Sequence, residues 1–322
     1  MFSKQKVLVA GGTGFIGVNL IERLLSLGAK VRATIHKNPK VLHDDRIEYI
    51  SCDLSKMADC ITATEGMDYV FLCAANTSGA AVMQNTPLVH VTPNLLINSQ
   101  MLEASYFADI KKFIWISSGA AYPPTGERPV SEEEFFDGDP HDKYYPVAWM
   151  KRYTEILCRM YSEKLPRTMS TTVVRPSNVF GPYDDFNPET SHVTAALIRK
   201  VVERQNPLEV WGTGEDVRDL IYIDDFIDGL LLATQKIEGY DPVNIVSGQG
   251  YSVKELLQLI LDVDSYSNVE IQFNTSKPST MPIRLIDNSK AKKKLGFEAK
   301  TNIMDALSRT IDWFRTQNKL AS

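Results

Sequence analysis

The chain has 322 residues, which suits one large α/β domain or a large domain with a smaller appendage, and we expect the second. Hydrophobic residues make up 43% and charged residues 23%, as in a globular protein with a sizeable core, so disorder is not expected. The net charge is -5 without a basic stripe, which argues against a nucleic acid or an anionic membrane as partner.

Short β-branched apolar runs alternate with segments of helical period along the first half of the chain. The runs are KVLVA, VRATI, IEYISC, YVFLCAA, KFIWISS and STTVVRPS. Strands that alternate with helices predict an α/β fold, here a Rossmann-type doubly wound parallel sheet over residues 1–177. The N-terminus enters the first strand pattern without a signal peptide, so we expect a cytoplasmic protein with no membrane partner.

A glycine-rich turn follows the first strand pattern and precedes an apolar helical pattern. Gly11, Gly14 and Gly17 would allow a tight turn and a close approach of the backbone to a pyrophosphate, and the helix N-terminus would supply free N–H groups. A lone glycine turn is weak evidence and could serve packing only. Strand, turn and helix agree here, so the sequence predicts a dinucleotide site.

The end of the second strand pattern bears on the choice between NAD and NADP, because an acidic residue there binds the ribose 2′-hydroxyl. This chain has His36 and Lys37 instead, which would contact a 2′-phosphate or form a solvated basic turn. We therefore expect NADP in preference to NAD. Asp53 and Leu54 follow the third strand pattern, where the carboxylate would accept from the adenine amino group or stabilise a turn.

After Pro176 the pattern changes to a loop rich in Gly, Pro, Asn and Asp, a helix from about Ser191 and shorter elements. We expect residues 178–322 to form mainly a smaller C-terminal substrate-binding lobe, interleaved with late strands of the main sheet. Ser252 and Glu255 have capping-box spacing for one of its helices. The two lobes should enclose a cleft at the carboxyl ends of the strands.

Neither the cysteines nor the other candidate ligands have metal-site spacing, so no metal is expected. The four cysteines are predicted to be reduced packing residues; they are Cys52, Cys60, Cys73 and Cys158.

Several segments together resemble the extended short-chain dehydrogenase/reductase family, in its NAD-dependent epimerase/dehydratase branch, over nearly the whole chain. They are GGTGFIG, SSGAAYP, WMKRYTE, RPSNVFGPYDDF, GTGEDVRDLIYIDD and DNSKAKKKLGF. The resemblance adds Phe15, Ile16, Ala74 and Pro176 to the expected cofactor site. It also implies a homodimer formed through two helices per subunit, one of which would carry Ile156, Leu157 and Met160, although these residues could instead pack on the sheet.

The family's reactive set is a Ser or Thr, a Tyr, and a Lys four residues after the Tyr. The resemblance places the hydroxyl that orients the sugar oxygen on Ser118 and the lysine that holds the nicotinamide ribose on Lys151. At the tyrosine position this chain has Val147, which cannot transfer a proton, whereas acid/base catalysis contributes on the order of 10²- to 10⁴-fold. Tyr144 and Tyr145 lie just upstream; either Tyr145 reaches the sugar, or a water relays to Ser118 or Lys151, or both tyrosines only pack.

Within this family, the chain most resembles members that modify GDP-sugars, of the GDP-L-fucose synthase type. It implies that His192 is an acid/base group, that Asn178 contacts the sugar, and that Lys200 and Arg218 bind the diphosphate. From the residues alone, His192 could be a polar helix-start residue, and Asp216 or Asp219 could neutralise Arg218.

The sequence therefore predicts an NAD(P)-dependent oxidoreductase or epimerase that moves hydride at C4 of a nucleotide-linked sugar, with GDP favoured as the carrier. Gly119 and Ala120 stand where sugar 4,6-dehydratases carry an Asp-Glu pair, which argues against elimination. Two alternatives stay open. One is a sugar-nucleotide dehydrogenase that releases a keto-sugar, and the other is a non-catalytic dinucleotide-binding sensor or partner protein.

Overall fold

The buried apolar runs of the N-terminal half form one parallel sheet in the computed structural model, which describes residues 2–77, 86, 88–277 and 281–318. The strands are β1 Lys6–Ala10, β2 Lys30–Ile35, β3 Ile47–Ser51, β4 Tyr69–Leu72, β5 Lys112–Ile116, β6 Ser170–Pro176, β7 Asn178–Phe180, β8 Leu208–Trp211, β9 Val217–Tyr222, β10 Val243–Ile245, β11 Gly250–Ser252, β12 Ile271–Asn274 and β13 Ile283–Arg284. The α-helices are α1 Phe15–Ser26, α2 Met57–Thr64, α3 Leu88–Phe107, α4 Tyr145–Glu163, α5 Val193–Val202, α6 Ile223–Lys236, α7 Val253–Val263 and α8 Ile303–Asn318.

The main sheet has seven strands in the order β10-β6-β5-β4-β1-β2-β3, and each neighbouring pair is parallel. The chain runs outward from β1 to β3, then returns to β4 on the other side of β1. The predicted doubly wound Rossmann-type fold is confirmed. In such sheets the point where the strand order reverses, here between β1 and β4, opens a crevice for ligands at the carboxyl ends of the strands.

The C-terminal part of the chain builds smaller sheets beside the main one. β11, β9 and β13 lie side by side with β7 paired to β9, while β8 pairs with β12. β10 returns to the main sheet beside β6, as interleaving of the two lobes requires. The boundary between residues 1–177 and 178–322 stays a prediction.

Local sequence signals predicted where two helices begin. The helix expected from about Ser191 begins at Val193 with His192 as its N-cap. The capping box of Ser252 and Glu255 is present at the start of α7.

Apolar side chains cover both faces of the main sheet in two large clusters. All four cysteines are free thiols, three of them buried and Cys73 half-buried. Burial raises the pKa of the Cys60 thiol to about 12, so this group stays protonated and packs as a small apolar side chain.

Across the described residues, none of the helices is both long and apolar enough to cross a membrane. The same residues contain no group of three or more His, Cys, Asp or Glu side chains suited to hold a metal ion.

Candidate active site

The glycine turn between β1 and α1 is packed so closely that three of its four glycines, Gly11, Gly12 and Gly17, have no room for a side chain. A Cβ on Gly11, whose φ is +94°, would lie 2.5 Å from the backbone nitrogen of Ala74, and one on Gly17 would lie 2.1 Å from the carbonyl oxygen of Gly11. Gly14 differs, because a Cβ there would come no closer than 3.6 Å to its nearest neighbour. Gly14 is the N-cap of α1, so it leaves room for an anion at the helix N-terminus.

Thr34 ties this turn to the end of β2. The Gly11 N–H donates to the Thr34 hydroxyl at 2.8 Å, and the Gly12 N–H donates to the Thr34 carbonyl at 3.0 Å. His36 and Lys37 follow directly and are exposed. The structure therefore places both residues just after the strand that the glycine turn contacts; their contact with a ribose 2′-phosphate stays a prediction.

The remaining expected cofactor residues lie at the ends of β3, β4 and β6 or in the first turn of α1. Asp53 holds a turn, because its Oδ1 accepts from the backbone N–H of Ser55 at 3.1 Å and from the Ser55 hydroxyl at 2.6 Å. These hydrogen bonds lower the pKa of Asp53. The Leu54 side chain is buried in the core. Their adenine contacts stay a prediction, as do the cofactor contacts of Phe15, Ile16, Ala74 and Pro176.

Lys151 and the Ser118 turn meet at the carboxyl end of β5. Lys151 Nζ donates to the carbonyl of Ile116 at 2.9 Å, and Ser118 Oγ caps the short 3₁₀ turn that follows by accepting from the Ala120 N–H at 3.1 Å. The next residue of α4 continues the contact, because Arg152 Nε donates to the carbonyl of Ala121 at 2.9 Å. Burial lowers the pKa of Lys151 to about 8, although the Glu155 carboxylate opposes this shift.

A buried ion pair holds α4 against β5 and β6, and the sequence analysis missed it. Glu155 accepts from Arg175 at 3.0 Å and 2.7 Å and from the Ser117 hydroxyl at 2.6 Å. Arg175 also donates to the Tyr122 hydroxyl at 2.8 Å. Because Glu155 lies one helical turn after Lys151, this network fixes the helix face that carries the lysine. The one available signal was an acidic residue four positions after Lys151.

Tyr145 lies on the wrong side of α4 to replace the missing tyrosine. It is the first residue of the helix, is 46% exposed, and packs on Trp149 with ring centroids 6.2 Å apart. Helical residues turn by about 100° each, so Val147 and Lys151 share one face while Tyr145 and Trp149 share nearly the opposite one. The structure does not bring Tyr145 to Lys151.

Two histidines lie near one another beyond the end of β4. His192 caps α5, and its pKa is lowered by desolvation, while Asp185 opposes this shift and His90 adds to it. The His90 ring is buried, with Nδ1 2.9 Å from the carbonyl oxygen of Asn76, and its Nε2 has no hydrogen-bond partner among the residues that the structure describes. The lowered pKa favours the neutral form of His192 near pH 7. The sequence analysis gave no role to His90.

Arg218 lies within β9, one residue after the strand begins. Its Nη1 donates to the carbonyls of Val217 at 2.7 Å and Pro282 at 3.1 Å, and Asp216 lies 3.3 Å from its Nη2. Asp219 instead accepts from Ser177, Ser247 and Gly248. Of the two acids that could neutralise Arg218, Asp216 is the one that contacts it.

Arg284 stands beside Arg218 in the register of β13 and β9, and the sequence analysis missed it. It is buried and donates to the carbonyls of Tyr122 at 2.9 Å and Pro123 at 3.1 Å, directly after the Ser118 turn. Burial lowers its pKa to about 10, and no described carboxylate forms an ion pair with it. Because a buried cation without an anionic partner is unfavourable, Arg284 is suited to bind an anionic ligand.

Two other predicted substrate residues lie in the same lobe. Lys200, near the end of α5, donates to the carbonyl of Glu209 at 2.6 Å, and desolvation lowers its pKa. Asn178 opens β7 opposite Leu220 of β9. Their contacts with a substrate stay a prediction.

Residues 7–246 match the NAD dependent epimerase/dehydratase family. Probable GDP-L-fucose synthase 1 of Oryza sativa subsp. japonica is 29% identical to the chain over 319 residues, which cover 96% of this chain and 92% of that protein. Among solved structures, the UDP-glucose 4-epimerase of Thermotoga maritima with UDP-glucose has a TM-score of 0.87 and 26% identity, covering 98% of this chain and 100% of that one. A GDP-6-OMe-4-keto-L-xylo-heptose reductase from C. jejuni has a TM-score of 0.84 and 26% identity, with 99% of each chain covered.

Proposed function

Because the chain belongs to the NAD-dependent epimerase/dehydratase family, we propose that it is an NAD(P)-dependent nucleotide-sugar oxidoreductase or epimerase that moves hydride at C4 of the sugar. The observation that carries this proposal is the contact of Lys151 with the end of β5, beside the Ser118 turn. A half-buried lysine and a hydroxyl at this point suit the nicotinamide ribose and the reacting sugar oxygen. The open position at Gly14 suits the pyrophosphate.

The dinucleotide, when bound, supplies or accepts the hydride, and the residues of this chain do the rest. The N-terminus of α1 binds the pyrophosphate, and Lys151 Nζ donates to the ribose. Ser118 Oγ orients the sugar oxygen. Arg218 and Arg284 bind the diphosphate of the substrate, since guanidinium groups form paired hydrogen bonds with phosphate oxygens.

Relatives support GDP as the carrier, and exposed basic residues support NADP. The rice relative and the C. jejuni structure are both named for GDP-sugars, although the T. maritima structure holds UDP-glucose. Lys37 provides a positive charge and His36 a hydrogen-bonding ring just after β2, and both side chains are exposed, which suits a 2′-phosphate.

A second function is favoured by one observation, the valine at position 147. A protein that binds the dinucleotide and the sugar nucleotide without turnover would need no proton-transfer group there. Such a protein would act as a sensor or as the partner of an active enzyme.

The first experiment is the absorbance spectrum of the purified protein in the band of the reduced nicotinamide. The released dinucleotide is then identified, and the scan is repeated with each dinucleotide and a panel of GDP- and UDP-sugars. A change in the band with one sugar, lost in Lys151→Met, supports hydride transfer. Dinucleotide binding with no response to any sugar favours the sensor, and a protein that binds no dinucleotide contradicts both functions.

The exposed apolar surface of α3 and α4 supports a homodimer as the working state. The side chains concerned are Leu88, Leu96 and Phe107 on α3 and Tyr145, Trp149, Tyr153 and Ile156 on α4. Aromatic and aliphatic groups that cluster on two neighbouring helices are typical of protein interfaces. Of the residues expected there, Ile156 is exposed, whereas Leu157 packs against the core and Met160 is half-buried.

A further inference from the structure

Tyr144 directly precedes α4 and continues its turn. Its backbone is in the right-handed helical region, with φ -106° and ψ -2°, and it stands seven positions before Lys151. At about 100° per residue, seven positions bring Tyr144 to within about 20° of Lys151 around the helix, and Val147 lies between them on the same face. Tyr144, unlike Tyr145, therefore points to the side of α4 that carries the lysine.

The Tyr144 ring packs against a small apolar cluster that includes a residue of the Ser118 turn. It is half-buried against a small cluster made of Ala121, Tyr122, Val130, Phe135, Ala148, Val246 and Ile286. Ala121 ends the 3₁₀ turn that Ser118 caps, and Ile286 follows β13. The ring thus packs against a cluster that includes a residue of the Ser118 turn and a residue shortly after the strand that carries Arg284.

Arg284 is close enough to Tyr144 for their charges to interact. Burial lowers the pKa of this guanidinium, and a charged Tyr144 would raise it again. Tyr144 therefore lies near the guanidinium that we assign to the diphosphate of the substrate, on the side of α4 that carries Lys151.

Resting on the function proposed above, we propose that Tyr144 is the catalytic acid/base residue that takes the role Val147 cannot fill. In reduction, the C4 carbonyl carbon gains a hydride from the reduced dinucleotide, which becomes oxidised. The carbonyl oxygen gains the Tyr144 proton, so the ketone becomes an alcohol. The phenolate then takes a proton from solvent, and in oxidation the same transfers run in reverse.

Tyr144→Phe and Tyr145→Phe form a matched pair for the test. With the panel sugar that gives the largest response, Tyr144→Phe should slow single-turnover hydride transfer by about 10²- to 10⁴-fold, and Tyr145→Phe by less than about threefold. Dinucleotide affinity should be unchanged in both variants. Adding a tyrosine at the family position, in Tyr144→Phe/Val147→Tyr, should recover much of the lost rate.

Binding without dinucleotide gives a readout that does not depend on turnover. In protein labelled at the tyrosine ζ-carbon, the Tyr144 resonance should shift when GDP-mannose is added, while the Tyr145 resonance should not. A parent rate in Tyr144→Phe would overturn this inference and leave the proposed function standing. A parent protein that transfers no hydride to or from any sugar would overturn both.

Discussion

Lys151 Nζ lies 2.9 Å from the carbonyl oxygen of Ile116, so the lysine of α4 is fixed to the strand end that leads into Ser118. The same lysine has a pKa of about 8 because burial disfavours its charge. The packing of α4 against β5 therefore sets both the position of the Lys151 amino group and its lowered pKa.

The first prediction concerns stability as a function of pH in Lys151→Met. The unfolded lysine keeps its ordinary pKa near 10.5, so between pH about 8 and about 10.5 unfolding takes up a proton and the parent becomes more stable as pH rises. The methionine variant carries no such proton. The free energy of unfolding of Lys151→Met, measured by denaturant titration, should exceed that of the parent by most below pH 8. This difference should shrink as the pH rises toward 10.5.

Lys164→Met is the control, because Lys164 is an exposed lysine at the end of the same helix. This variant loses the same charge as Lys151→Met but removes no buried group. An advantage of Lys151→Met that stays constant across this pH range would contradict the lowered pKa of Lys151.

The second prediction separates two glycines of the cofactor turn. In Gly17→Ala the new Cβ would meet the carbonyl of Gly11, so overpacking should reduce the free energy of unfolding by about 1–3 kcal/mol. In Gly14→Ala the Cβ has space; the loss of a favoured N-cap residue and the lower entropy of the unfolded chain oppose each other, so the free energy of unfolding should change by less than about 1 kcal/mol.

Affinity for the dinucleotide completes this comparison. Gly14→Ala should weaken binding at least about tenfold, because its methyl group occupies the approach of the pyrophosphate to α1. Calorimetry would measure the affinity, and thermal unfolding the stability. Full affinity in a folded Gly14→Ala protein would argue against a pyrophosphate at this position.

The third prediction concerns the buried Arg284. Arg284→Met should weaken binding of GDP-sugars by about 10- to 100-fold, since a hydrogen bond to a charged group contributes about 1.5–3 kcal/mol. Dinucleotide affinity should not change. Arg46→Met is the control, because Arg46 directly precedes β3, at the amino end of the sheet. Equal sugar-nucleotide affinity in Arg284→Met and Arg46→Met would exclude Arg284 from the diphosphate site.

The fourth prediction tests the homodimer. Ile156→Asp puts a charge into the proposed interface and should shift the protein from dimer to monomer in analytical ultracentrifugation. Ile61→Asp on α2 is the matched control, because Ile61 is 55% exposed and Ile156 is 51% exposed. A monomeric parent, or a dimer that persists in Ile156→Asp, would speak against an interface through α4.

Local patterns were sufficient for the fold and for the cofactor turn. The apolar runs predicted the strands of the main sheet, because a parallel strand covered on both faces is apolar along its length. The spacing of Gly11, Gly14 and Gly17 predicted the strand-turn-helix unit, because its requirements lie within a few residues. A helix cap such as Ser252 is equally local.

Other parts of the site depend on residues far apart in the chain. Glu155 meets Arg175 and Ser117 only after α4 packs against β5 and β6. Arg284 reaches the Ser118 turn because β13 pairs with β9. No periodicity along the sequence encodes such pairs, so the sequence analysis missed both.

The sequence by itself determined the α/β class, the strands of the main sheet and the residue types at the ends of its strands, because these depend on short-range periodicity and backbone freedom. Only the tertiary structure decided which side chains meet. The packing of α4 on the sheet brings Lys151 to the end of β5, and the register of β13 brings Arg284 beside Arg218. Helix phase against a sheet and strand register are set by packing between distant segments, which local patterns do not record.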